Sequence, residues 1–315
     1  MNAVPELVRH IREEMSKVVV GQEELRNQCV VALLCRGHVL LEGVPGIAKT
    51  LTVKALSRLM GLGFQRVQCT SDLMPADIVG TNILNMATST FQLHPGPVFT
   101  DLLLVDEVNR MPPRTQAALL ECMEEHQVTI DGKTYPLPPF FTVFATQNPI
   151  EFEGTYPLPE AQLDRFLLKL RVTYPAVADE VQLLANVQKG FESRELEKMN
   201  LIAIAPGLLE QAQQEVRSIT VEEALFSYIV QIVRRTRDWP SLSLGGSPRA
   251  AVSLMAVSKA VAATDGRDYV IPDDVKASVR PVLRHRIMLR PEADLEGLTP
   301  DQVLEDVLRA VEVPK

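Results

Sequence analysis

The sequence predicts an α/β fold with a mainly parallel sheet, followed by a helical domain. Up to about residue 175, short apolar runs alternate with segments of helical spacing. Beyond Pro175 the apolar residues recur three or four apart, with breaks at glycine and proline. Strands that are covered on both faces are apolar throughout, and alternation of strand and helix is typical of parallel sheets.

Five apolar runs are the predicted strands of this sheet. They are HVLLEG (38–43), FQRVQCT (64–70), DLLLVDE (101–107), FFTVFATQN (140–148) and FLLKLRVTY (166–174). Between them, helical spacing predicts helices from Lys49 to Met60 and from Pro113 to Glu125. In the second half, Pro272 followed by two aspartates predicts a helix start, because proline and carboxylates suit the first turn.

Two segments interrupt this alternation and are predicted to be β-hairpins. Residues 79–98 contain two period-2 runs around a polar turn, and residues 128–137 contain Asp131-Gly132, a strong two-residue turn signal. They are either surface decoration or structures that contact something, and their position in the chain leaves both readings open.

Length and composition limit the kind of protein. The 315 residues suggest two domains, which we place at residues 1–200 and 201–315. Hydrophobic residues make up 46% of the chain and charged residues 23%, as in globular proteins with a substantial core. With a net charge of -8, the protein as a whole is not expected to attract nucleic acid or anionic lipid. A local basic channel would still be compatible with this charge.

The N-terminal segment and the cysteines indicate a cytoplasmic protein. The first 20 residues carry acidic residues in a helical pattern, unlike a secretory signal. The apolar run from Cys29 to Cys35 is far shorter than the ~20 residues that span a bilayer. The four cysteines, which also include Cys69 and Cys122, form no CxxC pair or zinc-ligand spacing, so we expect small buried side chains in a reducing compartment.

A phosphate-binding loop is predicted where the first strand meets its helix. The strand ends at Gly43, and Lys49-Thr50 opens the helix, so that backbone N–H groups point at phosphate oxygens. Lys49 would reach the β and γ phosphates, and the Thr50 hydroxyl would bind Mg²⁺. Ala48 departs from the general pattern G-x-x-x-x-G-K-[ST]. Because alanine has a Cβ, we expect a negative φ there.

Polar residues at the ends of later strands complete a predicted hydrolytic site. Asp106 would hold Mg²⁺ through water, and Glu107 would orient and deprotonate the attacking water. Asn148 would position this water or contact the γ phosphate, or else cap a turn. An arginine that meets the γ phosphate accelerates transfer by ~10³–10⁵. Arg165 has this role or, alternatively, forms a surface ion pair with Asp164 or Glu160.

These motifs together resemble the MoxR family of AAA+ ATPases. In order they read VVGQEEL, GVPGIAKT, LLLVDEVNR, PPRTQAALLECMEE, FATQNP, LPEAQLDRF and GGSPRA, and they extend from about Val19 to Arg290. An alanine before the P-loop lysine also occurs in that family. The resemblance implies an AAA+ P-loop core with a five-stranded sheet, two inserted hairpins that face the axis of a ring, and a C-terminal helical lid.

The resemblance also implies roles for single residues. Asp106 and Glu107 match Walker B, Asn148 matches sensor 1, and Arg165 matches the arginine finger offered to a neighbouring subunit. Arg249 matches sensor 2, which the lid carries onto the nucleotide of its own or the adjacent subunit. The implied metal ligands are Thr50 and Asp106. The implied ATP-binding residues are Val20, Gly21 and Gln22 at the adenine and Gly43, Val44, Pro45, Gly46, Ile47, Ala48, Lys49, Thr50 and Leu51 at the phosphates.

An ATP-driven, chaperone-like remodeller of protein complexes is the function that the resemblance implies. It further implies a homo-hexameric ring, protein clients and a partner with a von Willebrand factor A domain. Arg110 and Arg114 lie near the presumed subunit edge, or are simply solvated. The alternatives are the ATPase subunit of a metal-chelatase-like complex, a nucleic-acid-stimulated motor, and a binding module with little turnover. The acidic balance counts against the motor, and Glu107 counts against the module.

Overall fold

The central element is a five-stranded parallel sheet. The computed structural model describes residues 2–149, 154–188, 190, 196 and 199–314. The sheet strands are β1 (Val39–Glu42), β2 (Phe64–Gln68), β5 (Leu102–Asp106), β8 (Thr142–Gln147) and β9 (Leu168–Arg171). Their order is β2-β5-β8-β1-β9, and every neighbouring pair is parallel. The predicted α/β class and all five predicted core strands are confirmed.

Both faces of this sheet are buried, which explains why its strands are apolar throughout. Successive side chains of a strand point to opposite faces. In β5, Leu102 and Leu104 belong to one hydrophobic cluster, and Leu103 and Val105 belong to another. The helices of this part of the chain are α1 (Ala3–Met15), α2 (Glu23–Leu34), α3 (Lys49–Met60), α4 (Pro75–Val79), α5 (Pro113–Glu125), α6 (Glu160–Leu163) and α7 (Val177–Gln188). The bounds of α3 and α5 are as predicted.

Both predicted hairpins are present outside the main sheet. The first consists of β3 (Gly80–Asn85) and β4 (Thr90–Pro95), and the second of β6 (Gln127–Ile130) and β7 (Lys133–Pro136). In the second turn Asp131 and Gly132 have φ values of 49° and 78°, both in the left-handed region that a tight hairpin turn requires. The Asn82 side chain donates to the Asp131 carboxylate at 2.8 Å, so the two hairpins touch.

The C-terminal part is helical, as predicted. Its elements are α8 (Leu208–Ser218), α9 (Glu223–Arg237), β10 (Leu242–Leu244), α10 (Pro248–Thr264), α11 (Pro272–Leu283), β11 (Met288–Leu289), α12 (Pro291–Leu295) and α13 (Pro300–Ala310). Pro272 opens α11, as predicted, whereas the short antiparallel pair of β10 and β11 was not predicted. Among the helices that the structure describes, none is long and apolar enough to cross a lipid bilayer.

The N-terminal helices pack against this helical part. Helix α1 contacts α8, and α2 contacts α8 and α10. The N–H of Ala3 donates to the Glu215 carboxylate at 2.8 Å. Apolar residues of α1, α2 and the C-terminal helices therefore share one hydrophobic cluster. The division into domains at residue 200 stays a prediction.

The cysteines are free thiols in apolar surroundings. Cys29, Cys69 and Cys122 are buried, and Cys35 is partly buried beside the core. Burial raises the pKa of each of the four thiols to about 12. Cys29, Cys69 and Cys122 are therefore buried packing residues, as predicted, whereas Cys35 is only partly buried.

Candidate functional site

The predicted phosphate loop joins β1 to α3 at the carboxyl edge of the sheet. Gly43 follows β1 directly, and a Cβ there would lie 2.5 Å from the Val172 carbonyl oxygen, so only glycine fits without a shift. Val44 and Ile47 pack against the core and anchor the loop. The remaining loop residues and the start of α3 face an open cavity.

The loop backbone enters the left-handed region at two residues. Gly46 has φ +85° and Ala48 has φ +62°. The expectation of negative φ at Ala48 is therefore wrong. Ala48 is the N-cap of α3, and its carbonyl accepts hydrogen bonds from the Thr52 N–H and hydroxyl, each at 2.9 Å. A side chain in this conformation is strained by about 1–2 kcal/mol, so the loop stores strain next to Lys49.

Lys49 opens α3 and is half-buried in the site. Its ammonium donates to the Gly43 carbonyl across the loop at 2.5 Å. Burial lowers the pKa of Lys49, while the carboxylates of Asp106 and Glu107 oppose this effect. An anionic ligand in the cavity would therefore interact with a positive charge that is already partly desolvated.

A cavity of about 450 Å³ connects the loop to the ends of the neighbouring strands. Strand β5 pairs with β2 and β8, which brings Asp106, Glu107 and Asn148 to the same edge as Lys49. The cavity is lined by Pro45, Gly46, Ala48, Lys49, Thr50, Leu51, Arg66, Gln68, Asp106, Glu107, Thr146, Asn148 and Leu183.

Asp106 is buried and holds two polar neighbours. Its Oδ1 accepts from the Thr146 hydroxyl at 3.1 Å, and its Oδ2 accepts from Arg66 Nε at 2.7 Å. The predicted pair of Thr50 and Asp106 suits Mg²⁺, which takes one or two protein oxygens and completes its shell with phosphate and water. A metal ion at Asp106 would share this carboxylate with the Arg66 guanidinium.

Glu107 is held by three side chains. Its backbone has φ +59°, a strained conformation of the kind that clusters at functional sites. The N–H of Glu107 donates to Thr146 Oγ1 at 2.9 Å. Its carboxylate accepts from Gln68 Nε2 at 3.0 Å and from Arg110 Nε at 3.1 Å. The carboxylate is thereby held at the wall of the cavity that Asn148 also lines.

The predicted adenine segment lies against α7, and α7 in turn contributes to the lining of the cavity. Gln22 donates to the Thr173 carbonyl at 2.7 Å, and Gly21 lies so close to Asp179 that a Cβ would come within 2.5 Å of its carboxylate. Leu183, one turn farther along α7, lines the cavity. Gly21 and Gln22 thus lie beside α7 and the residues just before it, and α7 contributes Leu183 to the cavity wall.

Arg165 and Arg249 lie together in a different place. Arg165 pairs with Glu124 at 3.0 Å and donates to the Leu120 carbonyl, and Arg249 pairs with Glu124 at 2.9 Å. Both line a second cavity of about 250 Å³. The alternative of an ion pair at Arg165 is therefore correct in kind but wrong in its partner, because Glu124 of α5 takes the place of Asp164 or Glu160, and Asp164 bonds to Arg286. Arg114 is exposed on α5.

The sequence reasoning missed the polar residues that surround the acidic pair. Arg66 and Gln68 are two residues apart on β2, so they point to the same face, and β2 is paired with β5. That alternation was visible in FQRVQ. Thr146, two residues before Asn148, carried a similar signal. No sequence pattern pointed to Glu124.

Two family matches cover this geometry. Residues 38–168 match the ATPase family associated with various cellular activities (AAA), and residues 234–307 match the AAA lid domain. The first range contains the phosphate loop, the acidic pair and Arg165, and the second contains Arg249. The fold and the site therefore define an AAA+ ATPase.

Several relatives cover almost the whole chain. It is 42% identical to the chaperone MoxR1 of Mycobacterium tuberculosis over 96% of this chain and 81% of that protein. It is 45% identical to the uncharacterised protein YeaC of Bacillus subtilis, over 96% and 93% of the two chains. A crystal structure of a candidate ATPase from Cytophaga hutchinsonii matches with a TM-score of 0.89 and 41% identity, over 99% and 96%. The chain belongs to the MoxR family of AAA+ ATPases and is an ATP hydrolase.

Proposed function

We propose that the protein binds ATP with Mg²⁺ in the Lys49 cavity and hydrolyses it with arginines supplied by a neighbouring subunit. One observation carries this proposal. Within a single chain Lys49, Asp106 and Glu107 line one cavity, whereas Arg165 and Arg249 meet at Glu124 and line another. Because the two sets line separate cavities within one chain, we infer that a second copy of the chain brings its arginines to this nucleotide.

Each cavity residue has a distinct chemical task in this proposal. Lys49 binds the β and γ phosphates, and Thr50 and Asp106 hold Mg²⁺. The metal ion supplies charge that neutralises the phosphate oxygens. Glu107, which Gln68 and Thr146 hold in place, takes a proton from the attacking water. Asn148 orients this water.

A closed ring follows from the shared site. A cyclic assembly lets every subunit give its arginines to one neighbour and receive arginines from the other. Since Arg165 and Arg249 lie together, we propose that both act on the adjacent subunit's nucleotide. Helix α7 exposes the apolar side chains of Val181, Leu184 and Val187 beside the cavity, a surface that a second copy would cover. Six subunits is the number that the family resemblance implies.

We further propose a chaperone-like role in the cytoplasm on protein clients, with a partner that carries a von Willebrand factor A domain. A relative that is 42% identical is named a chaperone. Hydrolysis between a core at residues 1–200 and a lid at residues 201–315 would change the angle between them. The first hairpin supports a protein client, because Leu84 and Phe91 face each other at its tip and Met86 and Phe91 are 83% and 72% exposed.

A nucleic-acid motor and a chelatase-type ATPase subunit are the other candidates. The first hairpin carries no aspartate, glutamate, lysine or arginine, and the second carries Lys133 as its one lysine or arginine. Binding to phosphates depends on such cations, so DNA-stimulated turnover that falls steeply with salt would favour the motor instead. The chelatase alternative shares the ring chemistry and differs in its client, which capture on Glu107→Gln rings with ATP would identify.

Mixing two inactive variants tests the shared site. Arg165→Ala keeps its own nucleotide cavity, and Glu107→Gln keeps its arginines. In rings mixed at equal amounts about a quarter of the interfaces combine both intact halves, so about a quarter of the wild-type turnover should return. Each variant alone should be inactive with nucleotide binding retained. Mixed rings that stay inactive would rule out the shared site.

A further inference from the structure

Arg286 is a buried arginine that ties the C-terminal helices to the segment around Arg165. It follows α11, and its side chain is only 2% exposed. Its guanidinium donates to the Asp164 carboxylate at 2.7 Å and to the Phe166 carbonyl at 2.8 Å. Further acceptors are the Asp164 and Leu167 carbonyls, the Ser253 hydroxyl and the Val282 carbonyl. Five of these acceptors lie outside the arginine's own turn.

Asp164 in turn connects this arginine to the helix that carries Arg249. While its Oδ1 binds Arg286, its Oδ2 accepts from the Ser247 hydroxyl at 3.0 Å. Ser247 is the N-cap of α10, two residues before Arg249, and Asp164 directly precedes Arg165. One carboxylate thus joins the two short segments that present the two arginines.

Stability alone is a poor explanation for this pair. Burial disfavours the charged form of Arg286 and lowers its pKa, and the Asp164 carboxylate opposes this effect. Well-packed apolar residues often replace a buried ion pair with no loss of stability. A planar guanidinium with five donors, however, holds several acceptors in a defined geometry that apolar side chains would leave free.

We propose that Asp164 and Arg286 are positioning residues that hold Arg165 and Arg249 in one geometry, so that both reach the same nucleotide of the neighbouring subunit. This inference rests on the proposed shared site. Neither residue touches the nucleotide in this scheme. Because a misplacement of about 1 Å can reduce a rate by about 10²-fold, loss of the pair should greatly reduce turnover while Arg165 and Arg249 are still present.

The chain offers a matched control in Arg284. This arginine is two residues away, is also largely buried, and pairs with Asp301 at 3.1 Å and with the Lys169 carbonyl at 3.3 Å. It joins the C-terminal helices to β9 rather than to the Arg165 segment. Arg284→Met therefore removes a comparable structural arginine and leaves the Asp164 contacts intact.

The test is a mixing experiment with Arg286→Met in the full-length chain. Alone, this variant should lose turnover by about 10²-fold and bind a fluorescent ATP analogue as tightly as the wild type, within about twofold. Mixed with Glu107→Gln it should regain about a quarter of wild-type turnover, because the partner supplies correctly held arginines. Mixed with Arg165→Ala it should stay inactive. Arg286→Lys should recover part of the lone activity, and Arg284→Met should keep most of it.

Three outcomes overturn the inference. If Arg286→Met regains turnover with Arg165→Ala, its defect lies in its own nucleotide cavity and not in the arginines. If it regains turnover with neither partner, although Glu107→Gln and Arg165→Ala rescue each other, the residue is merely structural. If that reference mixture itself fails, the shared site is wrong and the inference falls with it. Should Arg286→Met not fold, Asp164→Asn is expected to give the same pattern.

Discussion

Arg165 and Arg249 bond to the same carboxylate, that of Glu124, although one precedes β9 and the other lies on α10. The two positive charges are thereby partly neutralised and held side by side. A triphosphate from a neighbouring subunit would have to compete with Glu124 for them. The acidic residue on α5 therefore sets how strongly the arginine pair attracts an anion.

Glu124→Gln should make the shared site form more readily. Without the carboxylate the arginine pair keeps its full charge. Half-maximal turnover should therefore be reached at no more than about one third of the protein concentration that the wild type needs. Turnover measured over a dilution series checks this, and added salt should reduce the difference. Glu125→Gln, at the exposed next residue, removes the same charge and should have little effect. An unchanged midpoint in Glu124→Gln would contradict the competition.

Gln68→Ala should slow hydrolysis more than it weakens binding. The Gln68 amide donates to the Glu107 carboxylate at 3.0 Å, and without it that carboxylate is left with Arg110, while Thr146 still accepts from the Glu107 backbone N–H. We expect turnover to fall by about 10-fold or more, as for a general base that is no longer oriented. Nucleotide affinity should change little. Gln65→Ala on the opposite face of β2 is the control, and equal effects of both changes would refute this role of Gln68.

Substitutions at the phosphate loop should reveal the backbone strain. Gly46→Ala places a Cβ in open space, so its penalty comes from φ +85° alone. We expect the free energy of unfolding to fall by about 1 kcal/mol. Ala48→Gly relieves the strain at φ +62° and should lower it by no more than about 0.5 kcal/mol, since strain relief offsets the added freedom of the unfolded chain. Denaturant titration of both variants measures this contrast. A larger loss in Ala48→Gly than in Gly46→Ala would show that Ala48 is unstrained.

Stability should fall in mild acid because of a buried histidine. Burial lowers the pKa of His38 to about 4, from 6.5 in the unfolded chain. At a pH between these two pKa values, the unfolded state therefore binds a proton at His38 more readily than the folded state does. The stabilisation by neutral His38 is complete above pH 6.5 and decreases by up to about 1.4 kcal/mol per pH unit as the pH falls towards 4.

Denaturant titrations at pH 7.5, 6.5 and 5.5 test this dependence. His38→Gln keeps a donor and an acceptor for Met123 and Val143, which bond to the ring at 3.0 Å each. It should show a weaker loss of stability below pH 6.5 than the wild type. His94→Gln on the exposed strand β4 should leave the loss unchanged. A similar slope in the wild type and in His38→Gln would exclude His38 as its source. His285 should retain part of the slope, since burial also places its pKa well below 6.5.

The sequence predicted local features far better than the partners of long side chains. Apolar runs predicted the five strands, and alternating runs on either side of turn residues predicted both hairpins. The loop from Gly43 to Thr50 was recognised from its glycines and from Lys49-Thr50, which lie between a strand and a helix. The roles of Glu107, Asn148, Arg165 and Arg249 stay predictions. Their surroundings depend on which strands are neighbours and how α5 lies against Arg165, and neither is encoded in a local pattern.

Ala48 shows where a rule about residue type was insufficient. The rule that a Cβ avoids positive φ is correct as an average, and it predicted the wrong conformation here. The loop must turn so that α3 begins at Lys49, and the packing of Val44 and Ile47 against the core holds it in place. Tertiary packing outweighed a local preference of about 1 kcal/mol.

The four thiols with raised pKa values also make the molecule convenient for spectroscopic labelling. A thiol with a pKa of about 12 is ionised to about one part in ten thousand at pH 8. Electrophilic labels that react with thiolates should therefore leave the native cysteines unmodified. Met86→Cys would place a reactive handle at the tip of the first hairpin. In the proposed ring, spin labels at this position would report the distance between the first hairpins of neighbouring subunits during ATP hydrolysis. Every native cysteine could be retained.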